Sequence, residues 1–338
     1  MLAAPETLEV NSESGPETAG TPSTPAVEPK RMEPTTQEQV DEYLYLIGRP
    51  TLRDFLRFVR GHAVQPPGAG TLTQEWQAAK DHLRTIEQDE AGCADNPVIT
   101  QLELAKYEPL LIEFLKDPLV RHNFNTVPTE VAMVELDRLV VYQKHIDLTF
   151  VQQLKKKLGP APSDEEIFRT CLPYDHPQPP VKWSRLHRDS FVFVSPSNDL
   201  RFLGTMKLQS KHLKDYPPPG DLVGVVGLAV GFGSNFLNAV RAGNRIILNN
   251  GSHRAYTLRE MGFTHAPCII QHVSTLDELD VVACSDILDD PDFYLKHPRP
   301  SMLKDYFNPK LRKVMAAHRR MHQVTVRFEV DEAAVPAL

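Results

Sequence analysis

Residues 245–262, RIILNNGSHRAYTLREMG, constrain the fold more than any other part of the chain. Ile246, Ile247 and Leu248 form a β-run that ends in Asn249-Asn250-Gly251. A helical pattern begins at once, with Ser252, His253 and Arg254 in its first turn and Gly262 in the C′ position. Two basic residues at the positive end of the helix dipole are locally unfavourable, and such conflicts gather at functional sites. A helix N-terminus binds phosphates and carboxylates readily. The turn is therefore read as a phosphate-binding site built from Asn249, Asn250, Gly251, Ser252, His253 and Arg254, one asparagine serving as N-cap. The plainer alternatives are an ion pair from Arg254 to a neighbouring acidic residue and a satisfied core histidine at His253.

The flanking sequence sets this turn in an α+β core. Residues 191–195 and 200–208 read as a hairpin joined at 196–199, and 222–230 as a further strand. Residues 235–240 and 245–248 flank a hairpin connection at 241–244, and 266–273 read as a buried strand. Residues 36–173 read as helical. Thr36 and Gln39 form a capping box, Thr51 opens a second helix, and Trp76, Ala79, Leu83 and Ile86 line a third. Pro109 kinks a helix near 101–116, and Pro128 begins another with Val131, Val134, Leu139 and Tyr142 on one face. Residues 310–320 read as a basic helix, and 324–330 as a closing strand. The organisation expected is a disordered tail (1–35), a helical region and linker (36–180), the mixed-sheet core (181–275) and a C-terminal extension packed on it (276–338), with helices largely to one side.

Charge and composition exclude several classes. The formal net charge is −7, and residues 1–35 hold six glutamates against Lys30 and Arg31, so the remainder is close to neutral. A basic DNA-binding footprint is absent, and DNA is not an expected partner. The tail is too poor in large apolar groups to offset its ordering entropy, and it either solubilises the chain or recruits a protein partner. No apolar run approaches a membrane span and no secretory signal begins the chain, which points to the cytoplasm. Cys93, Cys171, Cys268 and Cys284 are scattered as in a reduced protein. His265, Cys268 and His272 lack an obvious fourth ligand, so they read as a core strand and no protein-held metal site is expected.

The order of elements, together with NNGSHRAYTLREMGFTHAPCII, resembles the ParB/sulfiredoxin-like superfamily over roughly residues 200–275. The resemblance rests on the strand, the Gly-Ser-His-Arg turn, the helix with Leu258, Gly262, and the strand opening at Pro267. It implies a ParB/sulfiredoxin-like nucleotide-binding core with ATP or CTP and Mg²⁺. Gly251 would let the backbone approach phosphate, Ser252 would contribute an N–H, and His253 and Arg254 would pair with phosphate oxygens. The chain also departs from the superfamily. Sulfiredoxins carry a catalytic cysteine where Ser252 stands, which argues against their reaction. ParB proteins continue into a helix-turn-helix that has no counterpart here. Serine-kinase relatives often place an acidic residue at the position of Asn250.

The function expected is nucleotide-phosphate binding, with ATP- or CTP-dependent phosphotransfer or hydrolysis on a small-molecule acceptor. In that chemistry Arg254 neutralises charge and His253 moves the proton. The rival classes are a non-catalytic nucleotide sensor or adaptor and, more remotely, a DNA-associated ParB relative. Four further features have structural and functional readings. Arg53, Arg57 and Arg60 share a helix face, either solvated or edging an anion site. Gly231-Phe232-Gly233 forms a loop, either a plain connection or facing the nucleotide. Asp286, Asp289, Asp290 and Asp292 are turn-forming residues or Mg²⁺ ligands. The passage 297–309 either packs on the core or brings Arg299, Lys304 or Tyr306 over the ligand.

Overall fold

The computed structural model describes residues 40–197, 199–209 and 223–336. Readings on 1–39, including the tail and the Thr36/Gln39 cap, and on the proline-rich loop at 217–220 lie outside the described residues. The first elements are β1 (Val40–Leu46), α1 (Leu52–His62), α2 (Ala69–Asp89), β2 (Ile99–Gln101), α3 (Leu104–Phe114), α4 (Pro118–Asn123) and β3 (Thr129–Glu135). Next come β4 (Val140–Val141), β5 (His145–Asp147), α5 (Leu148–Leu158), α6 (Asp164–Cys171), β6 (Lys182–His187), β7 (Ser190–Ser195), β8 (Leu200–Leu208) and β9 (Val225–Phe232). β10 (Asn238–Ala242), β11 (Arg245–Asn250), α7 (Ser252–Glu260) and β12 (His265–Val273) form the centre. The chain closes with α8 (Leu276–Val282), α9 (Ser285–Leu288), α10 (Pro291–Lys296), a 3-10 turn (Leu303–Phe307), β13 (Arg312–His318) and β14 (His322–Arg327). The fold is α+β.

The principal sheet has the order β2-β3-β12-β10-β11-β4 among the described residues. β10 and β11 form the expected hairpin, while β10 runs parallel to β12 and β11 parallel to β4. Period-two alternation explains why β11 reads as an unbroken apolar run, for it is buried on both faces. Ile246 and Leu248 join the core formed with Val151 of α5, Phe168 of α6 and Leu258 of α7. Ile247 points the other way and packs with Val140 and Ile287 of α9. Val240, Ala242 and Val273 likewise meet Leu279 of α8. Helices therefore cover both faces of this sheet rather than one.

The region expected to be helical supplies strands to the core. α1 and α2 form as expected, with the Thr51 side chain accepting from the Asp54 N–H at the start of α1 and Ala79, Leu83 and Ile86 buried on α2. Residues 40–46 are a strand instead, paired along their full length with β13. Val40, Leu44 and Ile47 have helical spacing. However, Leu44 and Leu46 face one core and Tyr45 and Ile47 another, so a strand buried on both sides imitates a helix. β3 is the second such correction, since Ala132 and Val134 alternate into the sheet core and pair with β12. The basic, alanine-bearing run at 312–318 is also a strand. Its partner β1 overrides its local helix preference.

Two pairings differ from the expected hairpins. β7 lies between β14 and β6, whereas β8 pairs with β9. The chain therefore changes sheet between β7 and β8. The passage after α10 packs as structure: Arg299 is 1% exposed and bonded to Asp305 and Glu90, Lys304 reaches Glu90 at 2.7 Å, and the Tyr306 hydroxyl donates to the Gln143 carbonyl at 2.5 Å. Asp290 caps α10 through the Phe293 N–H, as its turn reading implies. Among the described residues no helix is long and apolar enough to cross a membrane.

Candidate functional site

The turn between β11 and α7 has the geometry its sequence demands. Gly251 adopts φ +97°, the left-handed conformation at the helix N-cap. A Cβ here would sit 2.5 Å from Leu237 Cδ1 and 3.1 Å from Leu237 Cα. The close approach that glycine permits is made by Leu237. Gly251→Ala is expected to cost about 2 kcal/mol through the left-handed backbone and this overlap. A thermal melt unchanged within about a degree would contradict that packing.

The two basic residues of the first turn are both engaged by the protein, Arg254 buried and His253 partly so. The Asp147 N–H donates to His253 Nε2 at 3.0 Å, and the Phe150 ring meets the imidazole edge-on. Burial, followed by the nearby His145 and Arg254, pushes the His253 pKa down to about 3. The imidazole is thus neutral, and its acceptor nitrogen is occupied. In this geometry the proton-carrier reading of His253 lacks a free acceptor nitrogen. Arg254 is buried, and its Nη1 donates to the Cys171 carbonyl at 3.1 Å and the Asn235 carbonyl at 2.7 Å, while Nη2 bonds Asn235 Oδ1. Cys171 is the last residue of α6, so the cation sits at the negative end of a second helix. The conflict that pointed to an outside anion is answered by that helix end and by an uncharged histidine. Ser252, 4% exposed, lies in the same packed corner.

The two asparagines lie beside open space. At the end of β11 a cleft of about 360 Å³ opens on the sheet face covered by α8 and α9. Its lining includes Asn238, Asn249, Asn250, Gln271, Ser234, Arg201, Tyr142, His122 and Cys284, and among the described residues no carboxylate. Asn249 builds the wall. Its Nδ2 donates to Asn238 Oδ1 at 3.1 Å and to the Val282 carbonyl at 3.0 Å, and its Oδ1 accepts from the Cys284 N–H at 3.0 Å. The Tyr142 hydroxyl donates to the Asn249 carbonyl at 3.1 Å. One side chain thus joins β11, β10 and the α8–α9 junction. Asn250 is oriented by donating to the Ser234 carbonyl at 2.8 Å.

Arg201 supplies the cation of the cleft and is paired with Asp199. Its guanidinium lies against Gly233, where an added Cβ would fall 2.5 Å from Cζ. Gly231 and Phe232, read as part of a loop, are instead the last residues of β9, and the loop that follows makes room for Arg201 at Gly233 and contributes Ser234 to the lining. Burial pushes the Cys284 thiol up, so the sulfur beside Tyr142 stays protonated. The other features are placed elsewhere. Arg53, Arg57 and Arg60 flank a shallow depression on α1. On β12, Cys268 is buried and His272 pairs with Glu130 at 2.8 Å.

Sequence reasoning reached Asn249 and Asn250 but missed Asn238, Gln271, Arg201, Tyr142 and Cys284. Asn238 and Gln271 carried a signal as polar residues within otherwise apolar strands. Arg201 had none, because its approach depends on how β8 and β9 meet the loop. No protein-family model matches the chain, and neither the curated proteins nor the solved structures give a match.

Proposed function

We propose that this chain is a nucleotide-binding module that holds ATP or CTP, with the Mg²⁺ the nucleotide carries, in the cleft at the end of β11. The observation that carries the reading is a concave site of carboxamides and one arginine, with no carboxylate in its described lining. Arg201 suits a phosphate because its planar fork matches the oxygens. The side-chain amides suit the hydrogen-bonding edge of a base. A volume of about 360 Å³ is near the lower end of small-ligand sites and fits a mononucleotide. The resemblance of the strand–turn–helix segment to the ParB/sulfiredoxin-like superfamily points to the same ligand class.

Binding without turnover is favoured over phosphotransfer to a small molecule. The histidine expected to move the proton is neutral and already accepts a backbone N–H, and Arg254 spends its donors on protein carbonyls. The module is a sensor or adaptor in this reading, working in the cytoplasm, where such nucleotides are abundant.

Isothermal titration of the full chain with ATP and with CTP, each with and without Mg²⁺, tests the reading. At least one nucleotide is expected to bind, and Arg201→Ala is expected to weaken it about tenfold by removing a charge-assisted contact. The proposal is overturned if neither nucleotide binds at millimolar concentration, or if Arg201→Ala leaves the affinity unchanged. Steady phosphate release from bound nucleotide would return the phosphotransfer reading to first place.

A further inference from the structure

Gln271 is a largely buried polar side chain that makes no hydrogen bond within the described protein and keeps its amide open to the cleft. It lies on β12 in the middle of the principal sheet, opposite Val240 of β10 and Thr129 of β3. It is only 3% exposed and lines the cleft. Its side-chain amide has no hydrogen-bond partner among the described residues, and its polar atoms are not sealed from the cleft space. The neighbouring carboxamides differ. Asn249 has three bonds, and Asn238 both donates to the Phe236 carbonyl and accepts from Asn249. Side chains this deeply buried are overwhelmingly paired within the protein, whereas this amide can be paired only by a group that occupies the cleft. The physical reason to keep glutamine at this position is a partner that arrives from the cleft.

We infer that Gln271 reads the ligand by pairing its carboxamide with an amidine edge, an exocyclic amine adjacent to a ring acceptor nitrogen. The inference rests on the nucleotide reading of the cleft and names the group that selects the base. A carboxamide offers one acceptor and one donor in a single plane, so an amidine edge satisfies both at once. Adenine and cytosine carry that edge. Guanine's paired donors, N1–H and the 2-amine, would find only one acceptor on this side chain. Asn249 cannot compete for the ligand, since its amide is fully engaged in the wall, and Arg201 is left to the phosphate.

The test compares ligands that differ only in the amine. Titration of the full-length protein with ATP and with purine riboside triphosphate, which lacks the 6-amine, is expected to show a preference of at least about tenfold for ATP. CTP and its 4-deamino analogue form the second arm and decide which base supplies the edge. In Gln271→Met, an apolar side chain of similar length, each analogue is expected to match its parent, so that the preference disappears. The melting temperature of the variant reports whether it has folded. Should it fail to fold, the wild-type comparison still decides, because equal affinity for amine-bearing and amine-free nucleotides overturns the inference. A preference that survives in folded Gln271→Met overturns it as well. These outcomes leave the nucleotide reading standing, whereas failure of all four ligands to bind removes the nucleotide reading itself.

Discussion

Arg299→Met is expected to destabilise the protein by about 3–5 kcal/mol, the usual cost of removing one partner from a buried charge pair. Arg299 Nη1 donates to Asp305 Oδ2 at 3.0 Å and to the Pro300 carbonyl at 2.6 Å, and Nε donates to Glu90 Oε2 at 2.9 Å. Asp305 is 4% exposed and also accepts from the Met302 N–H at 2.9 Å. Methionine replaces most of the lost volume but leaves the buried Asp305 carboxylate without the cation it is bonded to, with Arg49 the remaining positive charge nearby. The 3-10 turn that carries Tyr306 against Gln143 should loosen with it. Urea unfolding checks this as a fall in the midpoint at an unchanged slope. The double variant Arg299→Met/Asp305→Leu should recover part of the loss, because the stranded charge is gone. A single-variant loss below about 1 kcal/mol would show that the carboxylate finds another partner.

The second large effect is acid sensitivity well above the ordinary carboxylate range. Burial, and then the nearby His145 and Arg254, push His253 down to about 3. Burial, with a smaller contribution from His62, pushes His145 down to about 4. His145 also faces the rings of Tyr43 and Phe58. Both folded-state values lie below the unfolded value of about 6.5, so the unfolded chain takes up protons first. Their stabilisation is complete above that value and is lost as pH falls from there toward 4 and 3. Between pH 7.5 and 5 the two residues together should remove about 4 kcal/mol, or about 10 °C of melting temperature. The Asp147 carboxyl, raised by burial, pulls the other way, because the folded state binds its proton more readily. That opposing part is smallest at the upper end of this window. His253→Gln, whose side-chain oxygen can still accept the Asp147 N–H, should lose about half of the pH dependence. A melting temperature that is flat from pH 7.5 to 5 would place both imidazoles in water.

Both effects concern residues that the sequence had offered as ligand-binding groups. Arg299 was a candidate to lie over a ligand, and His253 a candidate to carry a proton. In each case the residue type was informative while its partner was hidden in distant sequence. Asp147 is 106 positions from His253, and Glu90 is 209 from Arg299. The same holds for secondary structure. Local signals sufficed for α1, α2, the β10–β11 hairpin, α7 and β12, where caps, turn residues and periodicity agree. They failed for β1, β3 and β13, whose strand state comes from partners far along the chain.

The sequence alone determined the strand–turn–helix at 245–262, because a left-handed turn requires a residue such as Gly251 and the apolar pattern changes period on either side of it. It also placed Asn249 and Asn250 at a strand end, where a site can open. The direction in which each side chain of the turn points was decided by tertiary structure. α6 brings its last carbonyl to Arg254, the end of β5 brings an amide to His253, and α8 and α9 leave a gap over Asn250 and Gln271. Electrostatics and hydrogen bonding act through space, so a conflict written into nine consecutive residues was resolved by helix ends that the local sequence does not contain.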